Sequence, residues 1–120
     1  MDFGPAAPTN CVVRAGRCDM AASAQQAVEN LNRTFGIPLK RIEVTAMIGV
    51  NDVVDNVFTV DDAQALARFV KSTPIAGLHY WSLDRDKPCA NGSQVVSPSC
   101  SSLNQVSEGT FLKAFWRALK

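Results

Sequence analysis

The sequence lacks an excess of charge of either sign: 12 Lys plus Arg stand against 11 Asp plus Glu in 120 residues. A formal net charge of +1 gives no electrostatic case for nucleic acid or for an anionic membrane surface as a partner. No apolar run approaches the roughly 18 residues of a membrane span. The opening Met1-Asp2-Phe3-Gly4-Pro5 has no basic segment leading into an apolar stretch, so it is not a signal peptide. Histidine occurs once, at His79, and there is no Cys-x-x-Cys pair, which leaves little from which to build a zinc site. Gly-x-Ser-x-Gly, His-Glu-x-x-His and a Gly-rich phosphate loop are all missing, so no nucleophile with its base and no nucleotide cradle is visible. No cofactor and no metal is called for. Internal repeats, low-complexity tracts and interdomain linkers are absent as well.

What is present suits a packed domain. Apolar residues make up 47%, enough for a core and too many for a disordered chain. Charged residues are 19%, below the usual ~25%, which hints at apolar surface needing cover. The length fits one domain, residues 1–120, and falls short of the roughly 200 residues of a complete (βα)8 barrel. Of the four cysteines, Cys11 and Cys18 flank a short Gly-containing loop, and Cys89 and Cys100 flank one rich in Ser, Asn, Gly and Pro. Four cysteines allow three pairings; the local one closes the shortest loops at least entropic cost, and it is the pairing expected here. Disulfides imply an oxidising compartment, hence an extracellular protein. Export without a signal peptide leads to the expectation that the true beginning of the chain is missing.

Along the chain, apolar spacing alternates between two periods. Ala24, Val28, Leu31 and Phe35 fall on one helical face, predicting a helix over 19–35 capped by Asp19 or Ser23 and ended by Gly36 and Pro38. Residues 41–50 begin in alternation and become almost wholly apolar, as in a strand buried on both faces. Thr59 and Asp62 resemble a capping box before a second helix with Ala63, Leu66, Ala67 and Val70 inward, stopped by Pro74. Residues 75–83 read as another strand, 84–105 as a polar surface loop, and 107–119 as a last helix bearing Phe111, Leu112, Phe115 and Leu119. With Met1-Asp2-Phe3 as the tip of a first strand, the order is that of an α/β fold with parallel strands joined by helical crossovers.

In parallel sheets, ligands meet the C-terminal strand ends. Three clusters lie there: Met1-Asp2-Phe3-Gly4, Gly49-Val50-Asn51-Asp52 and Trp81-Ser82-Leu83-Asp84-Arg85-Asp86. Taken singly they are ordinary turn chemistry. Met1 and Met47 read as core fillers, and His79, which shares the parity of Trp81, as a hydrogen-bonded core histidine.

Together the clusters are more specific, and the chain resembles the C-terminal part of bacterial family 18 glycoside hydrolases, the chitinases. Gly77-Leu78-His79-Tyr80-Trp81-Ser82-Leu83-Asp84-Arg85-Asp86 is similar to the eighth barrel strand and its exit, and Thr45-Ala46-Met47-Ile48-Gly49-Val50-Asn51-Asp52 to the seventh. Met1-Asp2-Phe3-Gly4 is similar to the end of the sixth. The resemblance implies an incomplete (βα)8 TIM barrel, units six to eight, taken from a secreted enzyme. That enzyme would cleave β-1,4-linked N-acetylglucosamine polymers by a retaining, substrate-assisted route. It implies that Trp81 floors the −1 sugar subsite, an aromatic face suiting the apolar face of a pyranose. Met1 and Phe3 would line the same subsite, with Asp2, Asn51 and Asp52 as polar contacts; where many members carry Tyr, Phe3 lacks the hydroxyl that holds the N-acetyl group.

One departure governs activity. The family's Asp-x-x-Asp-x-Asp-x-Glu run, whose Glu is the general acid, does not occur here; Asp52-Val53-Val54-Asp55 lies in the wrong unit and has no Glu. No catalytic residue is therefore assigned, and about 10²–10⁴-fold of acid catalysis would be forfeited. The expected partners are chitin or its oligosaccharides and the missing N-terminal barrel half. The alternative is a non-catalytic chitin-binding or partner-dependent module. Because Val44, Ala46, Ile48 and Leu78, or their neighbours of opposite parity, would face the absent half, self-association is also expected.

Overall fold

The structure is a computed structural model in which residues 2–53, 55–104 and 107–120 are described. Its chain order is a hairpin of β1 (Val13–Arg14) and β2 (Arg17–Cys18), then α1 (Met20–Arg33) and β3 (Glu43–Met47). A second hairpin, β4 (Gly49–Val50) with β5 (Val57–Phe58), precedes α2 (Val60–Ser72), β6 (Gly77–Trp81) and α3 (Thr110–Leu119). The expected strand–helix alternation survives around one parallel pair, β3 with β6, in which Val44 lies beside Leu78 and Met47 beside Trp81.

Local chemistry accounts for the helices. Asp19 caps α1, its Oδ1 accepting the Ala22 N–H at 2.9 Å. Thr59 and Asp62 form the anticipated capping box on α2: the Thr59 hydroxyl accepts the Asp62 N–H, and the Asp62 carboxylate accepts the Thr59 N–H at 2.8 Å. Pro74 follows the last turn of α2. The last helix starts at Thr110 rather than at 107, because residues 107–109 form the turn leading into it.

Other elements differ from the sequence reading. The apolar stretch 41–50 is not one strand: it breaks at Ile48, and Gly49–Val50 turns back to pair antiparallel with Val57–Phe58. The break has a physical cause. Gly49 sits at φ +77°, and a Cβ there would lie 2.1 Å from the Ser101 carbonyl oxygen, so only glycine allows this close approach. Residues 2–4 form no strand. Instead Phe3 is tied by its N–H to Oδ1 of the buried Asn56 at 2.8 Å, and Asn56 Nδ2 donates to the Gly4 carbonyl at 2.7 Å. Met1 lies outside the described residues. The segment after β6 is mostly exposed, as expected of a surface loop, but it is held at its base: the Cys89–Cys100 disulfide closes it and the Val50 N–H donates to the Ser101 carbonyl at 2.9 Å. Both disulfides have the expected local pairing, Cys11–Cys18 and Cys89–Cys100.

The core lies on one side of the β3–β6 pair. Val44, Ala46 and Ile48 are buried, Leu78 and Tyr80 pack against that cluster, and α1, α2 and α3 cover it with Val28, Leu66, Phe111 and Phe115. Tyr80 stacks on Phe115 with ring centroids 5.4 Å apart. The four residues expected to face the absent half are thus beneath the helices. The uncovered parity is Glu43, Thr45 and Met47 beside Gly77, His79 and Trp81.

Candidate functional site

A parallel strand delivers its last side chain to the rim of the sheet, and here Trp81 holds that place on the uncovered face. Its side chain is 45% exposed, whereas Met47, directly across the register, is buried. The Trp81 carbonyl accepts the Ile48 N–H at 3.0 Å, and the peptide bond from Trp81 to Ser82 is cis.

The residue that fixes this corner is Arg85, which the sequence reading treated as turn chemistry. It is fully buried. Its Nε and Nη2 donate to the Ile48 carbonyl at 3.2 and 2.6 Å, Nη2 also to the Val50 carbonyl at 2.7 Å, and Nη1 to the Ser97 carbonyl. The Ile48 and Val50 carbonyls flank the strand break, and the Ser97 carbonyl belongs to the loop closed by Cys89–Cys100. The guanidinium carbon lies 5.1 Å from the centre of the Trp81 ring, in cation–π range. Burial pushes the Arg85 guanidinium below the usual arginine value and nearby Asp52 acts in the opposite direction; the side chain stays charged. The strand break, the disulfide loop and the exposed indole therefore share one cation.

Asp86, beside it, is a helix cap. Its Oδ1 and Oδ2 accept the Phe111 and Leu112 N–H groups, each at 2.9 Å, at the start of α3. Both oxygens are occupied, which removes it from any list of free acids. The two charged residues of Asp84-Arg85-Asp86 that are buried thus have structural work, and Asp84 is exposed.

The remaining sequence-predicted residues scatter. Asp52 is exposed and close enough to Arg85 to act on its charge. Asn51 is buried, its Nδ2 donating to the Met47 and Gly49 carbonyls at 2.9 Å each, so its N–H groups brace the strand break rather than face a ligand. Asp2 is exposed. Phe3 packs among Met20, Ala24, Val44, Phe58 and Leu66, on the helix-covered side, and the structure does not bring it to Trp81. His79 is no core histidine: it stands on the uncovered face with Nε2 3.6 Å from Oε2 of Glu43, both side chains more than half exposed. That cross-strand pair and Thr45 make the face below Trp81 polar. Among the described residues, no group of three or more His, Cys, Asp or Glu is placed to hold a metal ion, and no helix is long and apolar enough to cross a membrane.

This geometry offers an aromatic platform with one face braced by a cation, beside exposed carboxylates. It can stack a pyranose. Among the described residues, the buried carboxylate of this strand exit, Asp86, is spent as the cap of α3.

No family model matches the chain, and no curated protein matches it significantly. Solved structures do. The catalytic domain of a hyperthermophilic chitinase from Pyrococcus furiosus superposes with a TM-score of 0.64 and 30% identity over 83% of this chain. Catalytic-site mutants of active domain 2 of a thermostable chitinase from the same organism, complexed with chito-oligosaccharides, give the same figures. The chain covers 34% of the length of those chitinase chains. Its fold is therefore similar to about a third of a chitinase catalytic domain.

Proposed function

We propose that this chain is the sugar-contacting portion of a chitinase-like glycoside hydrolase, matching units six to eight of a family 18 barrel. Trp81 is its platform for the −1 N-acetylglucosamine residue, and Asp52, close enough to Arg85 to act on its charge, is a polar contact. Asp2 and Met1 complete the proposed set of contacts, while Phe3 and Asn51 serve by packing and by bracing the strand break, not by touching the sugar. The acid that protonates the leaving oxygen, and the carboxylate that orients the substrate acetamido group, would come from barrel units outside this sequence. The whole enzyme would then act by retaining, substrate-assisted hydrolysis. Two disulfides in 120 residues fit an extracellular setting.

The observation that carries this reading is the exposed Trp81, braced by Arg85 at the C-terminal end of a parallel strand, in a chain similar to chitinase catalytic domains bound to chito-oligosaccharides. A second reading is a non-catalytic chitin-binding module. It is favoured by the polar parity of the uncovered face, which does not require a covering half-barrel for solubility.

Turnover of a chromogenic chitobioside separates the two. The chain alone is expected to stay at the buffer blank. Mixed with the first two thirds of a related chitinase barrel, ending before the matching strands, it should restore hydrolysis, and Trp81→Ala should not. If no such mixture gains turnover while the chain alone retains chitin, the module reading stands. Turnover by the chain alone that vanishes in Trp81→Ala would overturn both.

A further inference from the structure

The helical layer carries a second concave site, on the side of the sheet away from Trp81. A groove of about 470 Å³ runs between α2 and α3. Ala114 and Ala118 of α3 give short side chains along one wall, and Val60 begins the other. Arg68, Lys113 and Arg117 stand on the rim, with Gln64, Ser107 and Thr110 also lining it. No Asp or Glu lines the groove.

Three cations on one small site are a departure from the even charge balance of the chain. Lys113 and Arg117 are four apart on the same helix, where like charges repel and destabilise it. Neither they nor Arg68 make an ion pair or a side-chain hydrogen bond within the described residues, where the ion pairs are Arg14–Asp19 and His79–Glu43. Thirteen N–H donors are thus left to solvent, by the usual count of about five per arginine and three per lysine. The Thr110 hydroxyl donates to the Ser107 carbonyl at 2.6 Å and accepts from the Ser107 hydroxyl at 2.9 Å, so neither hydroxyl proton is left for a ligand. The first amides of α3 add nothing, because Asp86 already occupies them. Recognition would therefore rest on the side chains, two of them planar guanidiniums that bind oxyanions through paired bonds.

We propose that this groove binds a small polyanion carrying phosphate or sulfate ester groups. The volume falls within the range of small-molecule sites, about 300–1,000 Å³, and exceeds what a lone inorganic ion needs. An oxyanion here relieves the Lys113–Arg117 repulsion and draws on Arg68 from the facing helix, so occupancy ties α2 to α3. Because Tyr80, on the helix side of β6, stacks on Phe115 while Trp81 faces the other way, this site and the sugar platform lie on opposite sides of the sheet. It does not depend on the proposed chitinase-like function.

The test is thermal unfolding of the full chain with pyrophosphate and, separately, with a sulfated disaccharide, each against sodium chloride at matched ionic strength. At about ten times Kd the melting temperature should rise by about 5 °C. Amide shifts in a parallel NMR titration should fall within residues 60–68 and 107–118. Arg68→Gln with Arg117→Gln should weaken binding at least about tenfold, should not lower the ligand-free melting temperature, since it removes the Lys113–Arg117 repulsion, and should leave chito-oligosaccharide binding unchanged. A response to pyrophosphate alone places the ligand among phosphate-bearing polyanions, and to the disaccharide alone among sulfate esters. No saturable shift with either, or a shift that survives in the double variant, overturns the proposal.

Discussion

Replacing Arg85 by Ala strands the Ile48, Val50 and Ser97 carbonyls at once and takes the cation from the Trp81 ring. A buried polar group left without a partner costs ~1–3 kcal/mol, so the substitution should destabilise by about 3–5 kcal/mol. Urea unfolding followed by circular dichroism measures this. Arg85→Lys, which keeps the charge but offers fewer and differently aimed donors, should recover only part of the loss. Tyr80 sets a different dependence. Burial, and then the Asp86 charge, raise its hydroxyl above the ordinary 10.0. The folded chain therefore keeps this proton where the unfolded chain has released it. Stability linked to Tyr80 is whole below about pH 10 and is lost as pH rises through the folded value. Tyr80→Phe should accordingly flatten the alkaline fall of unfolding free energy, measured by urea titrations from about pH 9 upward. An unchanged slope would remove Tyr80 from the account.

At the level of elements, α3 depends on a carboxylate 25 residues away. Its own N-cap position is Gly109, which has no side chain to offer. Asp86→Asn removes the charge and one of two acceptors, and should cost about 1–2 kcal/mol. Hydrogen exchange should quicken at Phe111 and Leu112 and stay unchanged in α1, which Asp19 caps independently. The same contrast explains what was legible in the sequence. The Asp19 cap, the Thr59–Asp62 box and both disulfides close within a dozen residues, so spacing alone revealed them. Trp81 was legible through the resemblance of residues 77–86 to an eighth barrel strand and its exit, since a strand-end tryptophan by itself reads as core. Arg85 and Asp86 were not, because their partners lie 37 and 25 positions away and the residues themselves look like turn chemistry. The hairpin at Gly49 was hidden by an unbroken apolar run, where only the approach of Ser101 demands a glycine. Phe3 was assigned to the sugar side by the resemblance of residues 1–4 to the end of a sixth barrel strand, and the described residues 2–4 form no strand.

At the level of the whole molecule, the one-sided core changes the reason for expecting association. Val44, Ala46, Ile48 and Leu78 are under the helices, so the face open to a missing half carries Glu43, Thr45, His79 and Trp81 instead. What stays unsatisfied is the outer edge of each strand in the β3–β6 pair, since each has a single neighbour among the described residues. Unpaired edges invite strand addition. Light scattering across a concentration series is expected to show reversible association, while a dye that fluoresces on apolar surface stays dark. Strong dye binding by a cooperatively folded chain would mean that apolar surface, and not strand edges, drives the contact.

The central claim is that the exposed face of Trp81 receives a sugar. The chain has two tryptophans, Trp81 and Trp116, so a nitrogen–proton correlation spectrum carries two indole N–H signals, assigned with Trp116→Phe. Both are exposed, at 45% and 61%, which makes Trp116 an internal control of equal opportunity. Titration with chitotetraose should move the Trp81 signal saturably and leave that of Trp116 in place. A Trp81 signal that stays fixed at saturating sugar, or a shift confined to Trp116, would contradict the account.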